Sequence, residues 1–328
     1  MKKIISAIAA LSAAAVMTVS TAVTAGAANA AAGELVVLGD SITSGYGLPG
    51  YVSGDNYSAP DSFANQLAAD FSGCQNFAVD GRTSGELLTA LEDEEISSAL
   101  AGAEVVVISI GGNDFLQPMI SAAIDFASEN EDLMKSLQEN MTADGSSINA
   151  DNYLDIMREL TATMTEAANS VDTAGIGQNL RNILSGISAV NPDCRMIVLT
   201  VYDPFEGVTG MEIFDVIARE KLALLNSEIT SAAAENGAET ADVYTAFKGH
   251  AEEYTNISSM DIHPSRDGHA VIYSLLSEMI FPAAETMQPA GSESGSKGSP
   301  DTGAEGVAVF VGAAAIAAAA ALISRRKK

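Results

Sequence analysis

The chain has 328 residues, with 43 acidic and 16 basic side chains and a formal net charge of −27 at pH 7. Six of the basic residues lie at the two ends, in positions 2–3 and 325–328, so the body of the chain is strongly acidic. This charge excludes nucleic acids and anionic lipid surfaces as partners, because both are themselves negatively charged. A high net charge also keeps an exported protein in solution, and we prefer this simpler interpretation of it.

The first 30 residues have the pattern of a secretory signal peptide. Two lysines precede an apolar run over residues 4–19, and small residues then lead to Ala28-Asn29-Ala30. A positive start, a short apolar run and an A-x-A sequence are typical of a peptide that is removed during export. We therefore predict a signal peptide over residues 1–30. The alternative is a retained membrane-spanning helix, for which the apolar run is short.

The C-terminal residues indicate a second targeting signal. Residues 288–298 are rich in glycine and serine and form a predicted flexible linker. Residues 299–328 then contain the pentapeptide SPDTG, an apolar run over 307–323 and a basic tail. An apolar run of this length can just span a bilayer, and the basic tail would stay on the cytoplasmic side.

The order of pentapeptide, apolar run and basic tail resembles a sortase cell-wall sorting signal of Gram-positive bacteria. The resemblance implies that sortase cleaves between Thr302 and Gly303 and joins the protein to peptidoglycan. Ser299 stands where the commoner LPxTG pentapeptide has leucine. The alternative is a plain C-terminal membrane anchor, and this segment would then be the protein's contact with the membrane. Both interpretations predict an exported protein at the cell surface.

Residues 33–287 lie between the two signals and are enough for one large α/β domain. Short β-favouring runs alternate with helical patterns, and the run over 104–110 is apolar through its middle, as in a central parallel strand. Repeated βα units predict a parallel sheet with right-handed crossovers and helices on both faces. The sequence therefore predicts a three-layer α/β/α sandwich around a mostly five-stranded parallel sheet, with the strand order 2-1-3-4-5.

The individual elements follow from hydrophobic periodicity and turn residues. Strands are predicted at residues 35–38, 75–79, 104–110, 195–201 and 239–243. Helices are predicted at residues 62–71, 84–91, 211–236 and 267–280, and across most of 116–190, with breaks at 142–147 and 172–177. Ser84 and Asp267 are predicted helix caps. The methionines of 116–190 are interpreted as core residues, and a substrate-facing lid is the alternative.

The two cysteines, Cys74 and Cys194, precede the second and fourth predicted strands. In the expected strand order two other strands separate these, so the cysteines would lie on the order of 14 Å apart. A disulfide needs Cα atoms within about 7 Å of each other. We therefore predict free thiols.

Small or polar residues follow each of the first three predicted strands: Gly39-Asp40-Ser41, Asp80-Gly81 and Gly111-Gly112-Asn113-Asp114. The carboxyl ends of parallel strands meet at one edge of the sheet, where open α/β folds bind their ligands. A nucleophilic serine needs a base, and the chain has three histidines. His263 lies in a loop before the last helix, from which it can reach Ser41. We predict that His269 is structural and that His250 is exposed.

Four blocks of the sequence, in this order, resemble those of the SGNH (GDSL) hydrolases: Gly39-Asp40-Ser41, Gly81, Gly111-Gly112-Asn113-Asp114 and His263-Pro264. The resemblance covers residues 34–280 and implies a flavodoxin-like sheet. It implies that Ser41 is the nucleophile and that His263 is the general base and then the general acid. It also implies an oxyanion hole formed by the main-chain N–H groups of Ser41 and Gly81 and the side-chain amide of Asn113.

The third catalytic position departs from the commoner Asp-x-x-His spacing of the family. That spacing would place an aspartate at position 260, which is Met260, and Asp261 lies one residue closer to His263. We predict that Asp261 orients His263, because Asp-x-His-Pro sequences also occur among relatives. The alternative is a main-chain carbonyl near Met260. Asp40 is interpreted as a turn former and Asp114 as a helix cap.

The sequence therefore predicts an extracellular serine esterase or acylhydrolase that acts on a small-molecule, lipid or glycan ester. One alternative is a carbohydrate (acetyl) esterase acting on cell-wall or plant polysaccharide. Another is a catalytically idle binding module at the cell surface, which the intact Ser41, Asn113 and His263 argue against. No metal-ligand spacing, P-loop or dinucleotide-binding glycine pattern occurs in the sequence, so we expect no metal and no cofactor.

Overall fold

The computed structural model describes residues 31–130, 150–209, 211–259 and 261–282. The predicted signal peptide, linker and sorting signal, the predicted break at 142–147, and Met260 lie outside these residues. The strands are β1 (Ala31–Gly39), β2 (Phe71–Asn76), β3 (Ala103–Ser109), β4 (Arg195–Leu199) and β5 (Glu239–Ala241).

The helices of the described residues are, in chain order, α1 (Ser41–Ser44), α2 (Phe63–Ala68), α3 (Ser84–Ala90), α4 (Glu94–Gly102), α5 (Gly112–Glu129), α6 (Ala150–Ser170), α7 (Thr173–Val190), α8 (Glu212–Glu235), α9 (Val243–Phe247), α10 (Ala251–Tyr254) and α11 (Arg266–Ile280). A 3₁₀ turn at Ile257–Ser259 lies between α10 and α11.

The strands form one parallel sheet in the order β2-β1-β3-β4-β5. This confirms the predicted fold class and strand order. The last residue of β1, Gly39, pairs with Ser109 at the end of β3, so the residues that follow both strands meet at the same edge of the sheet.

The central strand β1 is buried on both faces, as its apolar sequence predicts. Val36 and Leu38 pack into one hydrophobic cluster with α3 to α8, whereas Leu35 and Val37 pack into another with α2, α9 and α11. Side chains alternate between the two faces of a strand, so four consecutive apolar residues join the sheet to both helical layers. These are the three predicted layers.

Several element boundaries differ from the predictions. The second strand ends at Asn76, not at residue 79, although the chain continues beside β1: the N–H groups of Phe77 and Val79 donate to the carbonyls of Val37 and Gly39 at 2.9 and 3.1 Å. Strands β4 and β5 end at residues 199 and 241, not at the predicted 201 and 243. Helix α2 ends at residue 68, not at the predicted 71. Main-chain bonding also continues one residue past β4, since the Thr200 N–H donates to the Ala241 carbonyl at 3.0 Å.

Both cysteines are free thiols in the structure, as predicted. Cys74 lies inside β2 and not before it, because the strand begins at Phe71. Burial raises the pKa of Cys74 to about 12, with a further contribution from the charge of Glu34. The thiol is therefore protonated at neutral pH and is a poor nucleophile.

The segment before α2 covers the outer edge of β2. The Tyr57 hydroxyl donates to the Cys74 carbonyl at 3.1 Å and accepts the Asn76 N–H at 3.0 Å. The side-chain amide of Asn56 donates to the carbonyls of Asn76 and Ala78, both at 2.9 Å. These side chains occupy the groups that another strand would pair with, which protects the edge from association.

His269 is a structural residue of α11. It is 0% exposed, and its Nδ1 accepts the N–H of Phe63 at the start of α2, at 3.2 Å. Burial, with a smaller contribution from the charge of His263, lowers the pKa of His269 to about 3. The folded protein therefore keeps this imidazole neutral at a pH where the unfolded chain protonates it.

This difference predicts a loss of stability in acid. Because the unfolded chain binds the proton and the folded chain does not, the contribution of His269 to stability falls as pH drops from about 6.5 toward 3. In His269→Gln, an amide oxygen can accept the Phe63 N–H without titrating. The stability advantage of the wild type over His269→Gln should shrink by on the order of 2 kcal/mol between pH 7.5 and pH 4.5, measured by denaturant unfolding. An advantage that is independent of pH would contradict this assignment.

Candidate active site

The turn after β1 carries Ser41. Only glycine fits at position 39, because a Cβ there would lie 2.1 Å from Thr43 Oγ1 and 2.8 Å from the Ser109 carbonyl oxygen. Asp40 begins the single turn of α1, and its Oδ1 accepts the Ile42 N–H at 3.0 Å. Gly45 ends α1 in the left-handed region, with φ of 81°. Ser41 is thus held on a sharp turn at the carboxyl end of the sheet.

His263 and Asp261 meet Ser41 at this edge. His263 Nε2 lies 2.9 Å from Ser41 Oγ, and His263 Nδ1 lies 2.5 Å from Asp261 Oδ1. The same Asp261 oxygen accepts the main-chain N–H of His263 at 3.1 Å. The shorter Asp-x-His spacing therefore brings the carboxylate to Nδ1, which leaves Nε2 free to accept the Ser41 proton.

The loop that carries His263 is fixed from two sides. The Asn256 N–H donates to the His263 carbonyl at 2.9 Å, and the hydroxyl of the buried Tyr202 donates to the Ile262 carbonyl at 2.7 Å. Burial raises the pKa of Tyr202 well above 10, so its hydroxyl remains a donor. At Gly268, a Cβ would lie 2.0 Å from the Tyr254 carbonyl oxygen, so α11 can approach α10 only with glycine there.

The two main-chain groups expected in the oxyanion hole are those of Ser41 and Gly81. Gly81 has φ of 76°, a conformation that favours glycine. Among the described residues, neither the Ser41 N–H nor the Gly81 N–H donates to a protein acceptor. Both N–H groups are therefore available to a ligand at this edge of the sheet.

Asn113 lies beside them in the first turn of α5. Its Nδ2 donates to the Arg82 carbonyl at 3.0 Å and approaches Asp40 Oδ2 at 3.2 Å. Both amide hydrogens thus have protein acceptors. A ligand could share the hydrogen that points to Asp40, because that hydrogen bond is the longer of the two. The participation of Asn113 in an oxyanion hole remains a prediction.

The carboxylate of Asp40 is buried, with 2% of the residue exposed. Burial raises its pKa to about 7, while the N–H of Ile42 and the charge of His263 act in the opposite direction. A fraction of Asp40 is therefore protonated near neutral pH, which reduces the negative charge next to the N–H groups.

The capping predictions need correction. Thr83, not Ser84, is the N-cap of α3, because its side chain and that of Glu86 form a reciprocal capping box. Asp114 does not cap its own helix, since its carboxylate accepts both the N–H and the hydroxyl of Ser84, at 2.8 and 2.7 Å. Ser265, not Asp267, caps α11.

Two site features were missed from the sequence. The ring of Tyr46 lies 4.5 Å from the imidazole of His263, centroid to centroid, and Tyr51 packs on Tyr46 at 5.2 Å. Asp80 accepts hydrogen bonds from Ser44 and Tyr51. The available signal was the pair of tyrosines in the glycine-rich segment directly after the serine turn.

The third histidine, His250, is exposed, as predicted, and its Nδ1 lies 3.2 Å from Glu253 Oε2. Throughout the described ranges, no three His, Cys, Asp or Glu side chains are arranged to hold a metal ion.

No helix within those ranges is long and apolar enough to cross a membrane.

The doubly covered parallel sheet, with Ser41, His263 and Asp261 gathered at its carboxyl edge, has the architecture of an α/β ester hydrolase. Comparison with known sequences agrees with this class. The chain belongs to the GDSL-like lipase/acylhydrolase family, whose sequence model matches residues 37–271. It is therefore an ester hydrolase by family, and the predicted SGNH resemblance is confirmed.

Individual relatives are distant. The uncharacterized protein YpmR of Bacillus subtilis (strain 168) is 23% identical over 253 residues, which are 76% of this chain and 80% of that protein. Phospholipase A1 from Streptomyces albidoflavus NA297 has a similar structure, with a TM-score of 0.52 and 21% identity over 76% of this chain and 99% of the other. The lipase Lip_vut3 from a goat rumen metagenome has a TM-score of 0.50 and 20% identity, over 76% of this chain and 97% of the other. These likenesses confirm the fold.

Proposed function

We propose that the protein is an extracellular serine esterase that cleaves carboxylic esters through an acyl-enzyme on Ser41. The observation that carries the proposal is the continuous set of contacts from Ser41 Oγ to His263 Nε2, at 2.9 Å, and from His263 Nδ1 to Asp261, at 2.5 Å. A serine, a base and a group that orients the base are the components that nucleophilic acyl transfer needs.

In the acylation step, Ser41 Oγ attacks the ester carbonyl carbon as its proton moves to His263 Nε2. Asp261 accepts a hydrogen bond from the Nδ1–H of His263 and stabilises the imidazolium that forms. The tetrahedral intermediate collapses, the bond to the alcohol oxygen breaks, and His263 gives its proton to the departing alcohol. The acyl group then remains on Ser41.

In the deacylation step, water replaces the alcohol. His263 Nε2 takes a proton from the water as the water oxygen attacks the acyl carbon. The second tetrahedral intermediate then collapses, the bond between the acyl carbon and Ser41 Oγ breaks, and the carboxylic acid is released. His263 gives the proton that it took from the water to Ser41 Oγ. No cofactor is consumed, because the water supplies both the hydroxyl group of the acid and the proton that restores the serine.

The negative charge of each tetrahedral intermediate develops on the former carbonyl oxygen. We assign its stabilisation to the N–H groups of Ser41 and Gly81, with the Asn113 amide sharing the hydrogen that points toward Asp40. Fixed neutral donors of this kind stabilise an oxyanion without reorganisation during the reaction.

The Ser41→Ala variant tests this function directly. The purified wild-type protein should hydrolyse p-nitrophenyl acetate and butyrate, and Ser41→Ala should lose at least ~10³-fold in kcat because no other group takes the acyl chain. Ser274→Ala, which removes an exposed serine hydroxyl of α11, is the matched control and should keep wild-type activity.

Wild-type protein without turnover, or Ser41→Ala with undiminished turnover, would reject the esterase proposal and favour a binding module. With an active enzyme, a p-nitrophenyl ester series from acetate to palmitate, together with acetylated xylan, assigns the acyl and alcohol class.

We further propose that the protein is exported and held at the cell surface. The support is the sequence alone: the signal-peptide pattern of residues 1–30, and the pentapeptide, apolar run and basic tail of residues 299–328. Sortase and peptidoglycan are the partners that this proposal requires.

Cell-wall attachment predicts the behaviour of a Thr302→Ala variant. Wild-type protein should remain with wall fragments after boiling in detergent and should be released by a muramidase. Thr302→Ala should instead extract with detergent or appear in the medium, because the peptide bond after position 302 is no longer cleaved by sortase. Equal covalent retention of both proteins would contradict sorting at this bond.

A further inference from the structure

The two N–H groups assigned to the oxyanion share a structural property. Each belongs to a peptide unit that begins at an aspartate: Asp40–Ser41 and Asp80–Gly81. Because a peptide unit is planar, the orientation of the N–H is set by the backbone of the aspartate that precedes it. The Asp40 carboxylate is already anchored by the Ile42 N–H, at 3.0 Å.

Asp80 has a corresponding anchor. Its Oδ1 accepts the Ser44 hydroxyl at 2.6 Å, and its Oδ2 accepts the Tyr51 hydroxyl. Ser44 is the last residue of α1, the helical turn that begins with Ser41, and its Oγ also lies 3.1 Å from the Ser41 carbonyl oxygen. A single carboxylate therefore connects the Asp80–Gly81 peptide to the turn of Ser41.

The remainder of the same loop is attached to a different element. Side chains of α5 hold it: Asn113 Nδ2 donates to the Arg82 carbonyl at 3.0 Å, and Gln117 Nε2 donates to the Gly81 carbonyl at 2.9 Å. These contacts fix the loop relative to α5, and Asn113 also reaches Asp40, the residue before Ser41, at 3.2 Å. The Val79 N–H bonds to the Gly39 carbonyl at 3.1 Å on the other side of that turn. Asp80 adds a contact with α1 itself, through Ser44.

Tyr51 extends this link toward the base. Its ring packs on Tyr46 at 5.2 Å, and Tyr46 packs on the imidazole of His263 at 4.5 Å. Burial raises the pKa of Tyr51, and the neighbouring Asp80 carboxylate raises it further, so the hydroxyl stays protonated and keeps donating. Each oxygen of the Asp80 carboxylate therefore accepts a hydrogen bond from one hydroxyl group.

We propose that Asp80 is a positioning residue for ester hydrolysis: its carboxylate, bound to Ser44 and Tyr51, holds the Asp80–Gly81 peptide so that the Gly81 N–H faces the oxyanion formed at Ser41. This inference rests on the proposed serine-esterase function. It assigns to Asp80 no contact with the substrate.

The test compares Asp80→Ala, Asp80→Asn, Ser44→Ala and Tyr51→Phe with the wild type. Glu92→Gln, which removes an exposed negative charge of the α3–α4 turn, is the control. For each protein we would measure kcat and KM with p-nitrophenyl acetate, the thermal midpoint, and the rate of Ser41 labelling by a fluorophosphonate. That reagent loses fluoride as Ser41 attacks phosphorus, and its phosphoryl oxygen needs the same N–H donors.

Removing a whole oxyanion donor costs ~10²–10³-fold in kcat, so misplacing one should cost about 10- to 100-fold. We expect Asp80→Ala to lower kcat and the labelling rate by that factor, with KM within about 3-fold of the wild type. Asp80→Asn keeps an oxygen acceptor and should recover most of the loss. Ser44→Ala and Tyr51→Phe should each show part of the loss in kcat and labelling rate, and Glu92→Gln should show no loss.

Wild-type kcat in Asp80→Ala, a change confined to KM, or an equal loss in Asp80→Asn would overturn the assignment. If Asp80→Ala does not fold, the double variant Ser44→Ala/Tyr51→Phe decides, because it removes both donors and leaves the carboxylate in place. Inactive wild-type protein would instead refute the proposed function itself, and the Ser41→Ala comparison identifies that case separately.

Discussion

The hydrogen bond between Ser41 and His263 is the interaction on which the rest of the site depends. It joins residues 222 positions apart, one on the turn after β1 and the other in the loop before α11. The two segments come together through tertiary packing, because β1 and α11 share one hydrophobic cluster. The fold keeps them 2.9 Å apart by fixing each segment separately, the first through Gly39 and the second through Asn256 and Tyr202.

Three aspartates surround a site that must stabilise negative charge in the proposed reaction. The negative charge of each carboxylate is reduced or compensated in a different way. Asp261 is paired with His263, Asp80 accepts hydrogen bonds from two hydroxyl groups, and burial raises the pKa of Asp40 to about 7. The donors that we assign to the oxyanion are neutral amides, and the cation that forms beside it in the proposed reaction is the His263 imidazolium. In the proposed mechanism these carboxylates orient peptide groups and the imidazole and make no contact with the substrate.

The sequence predicted the sheet order and the meeting of Ser41 with His263, because apolar runs and the residues at strand ends are contiguous in sequence. Asp261 remained open between two alternatives, since its spacing departs from the commoner one and only three-dimensional geometry shows that its carboxylate reaches Nδ1. The contacts of Tyr46 and Asp80 could not be predicted. They join loops that lack periodicity, and their partners lie in segments whose separation is set by tertiary packing.

The most direct measurement is to trap the acyl-enzyme. The purified protein would be mixed with p-nitrophenyl butyrate, quenched in acid within milliseconds to seconds, digested, and analysed by mass spectrometry. An acyl-enzyme mechanism predicts a butyryl group on Ser41, formed with a burst of p-nitrophenol no larger than the enzyme concentration and absent from Ser41→Ala. An acyl adduct on another residue, or undiminished hydrolysis by Ser41→Ala, would contradict the assignment of Ser41 as the nucleophile.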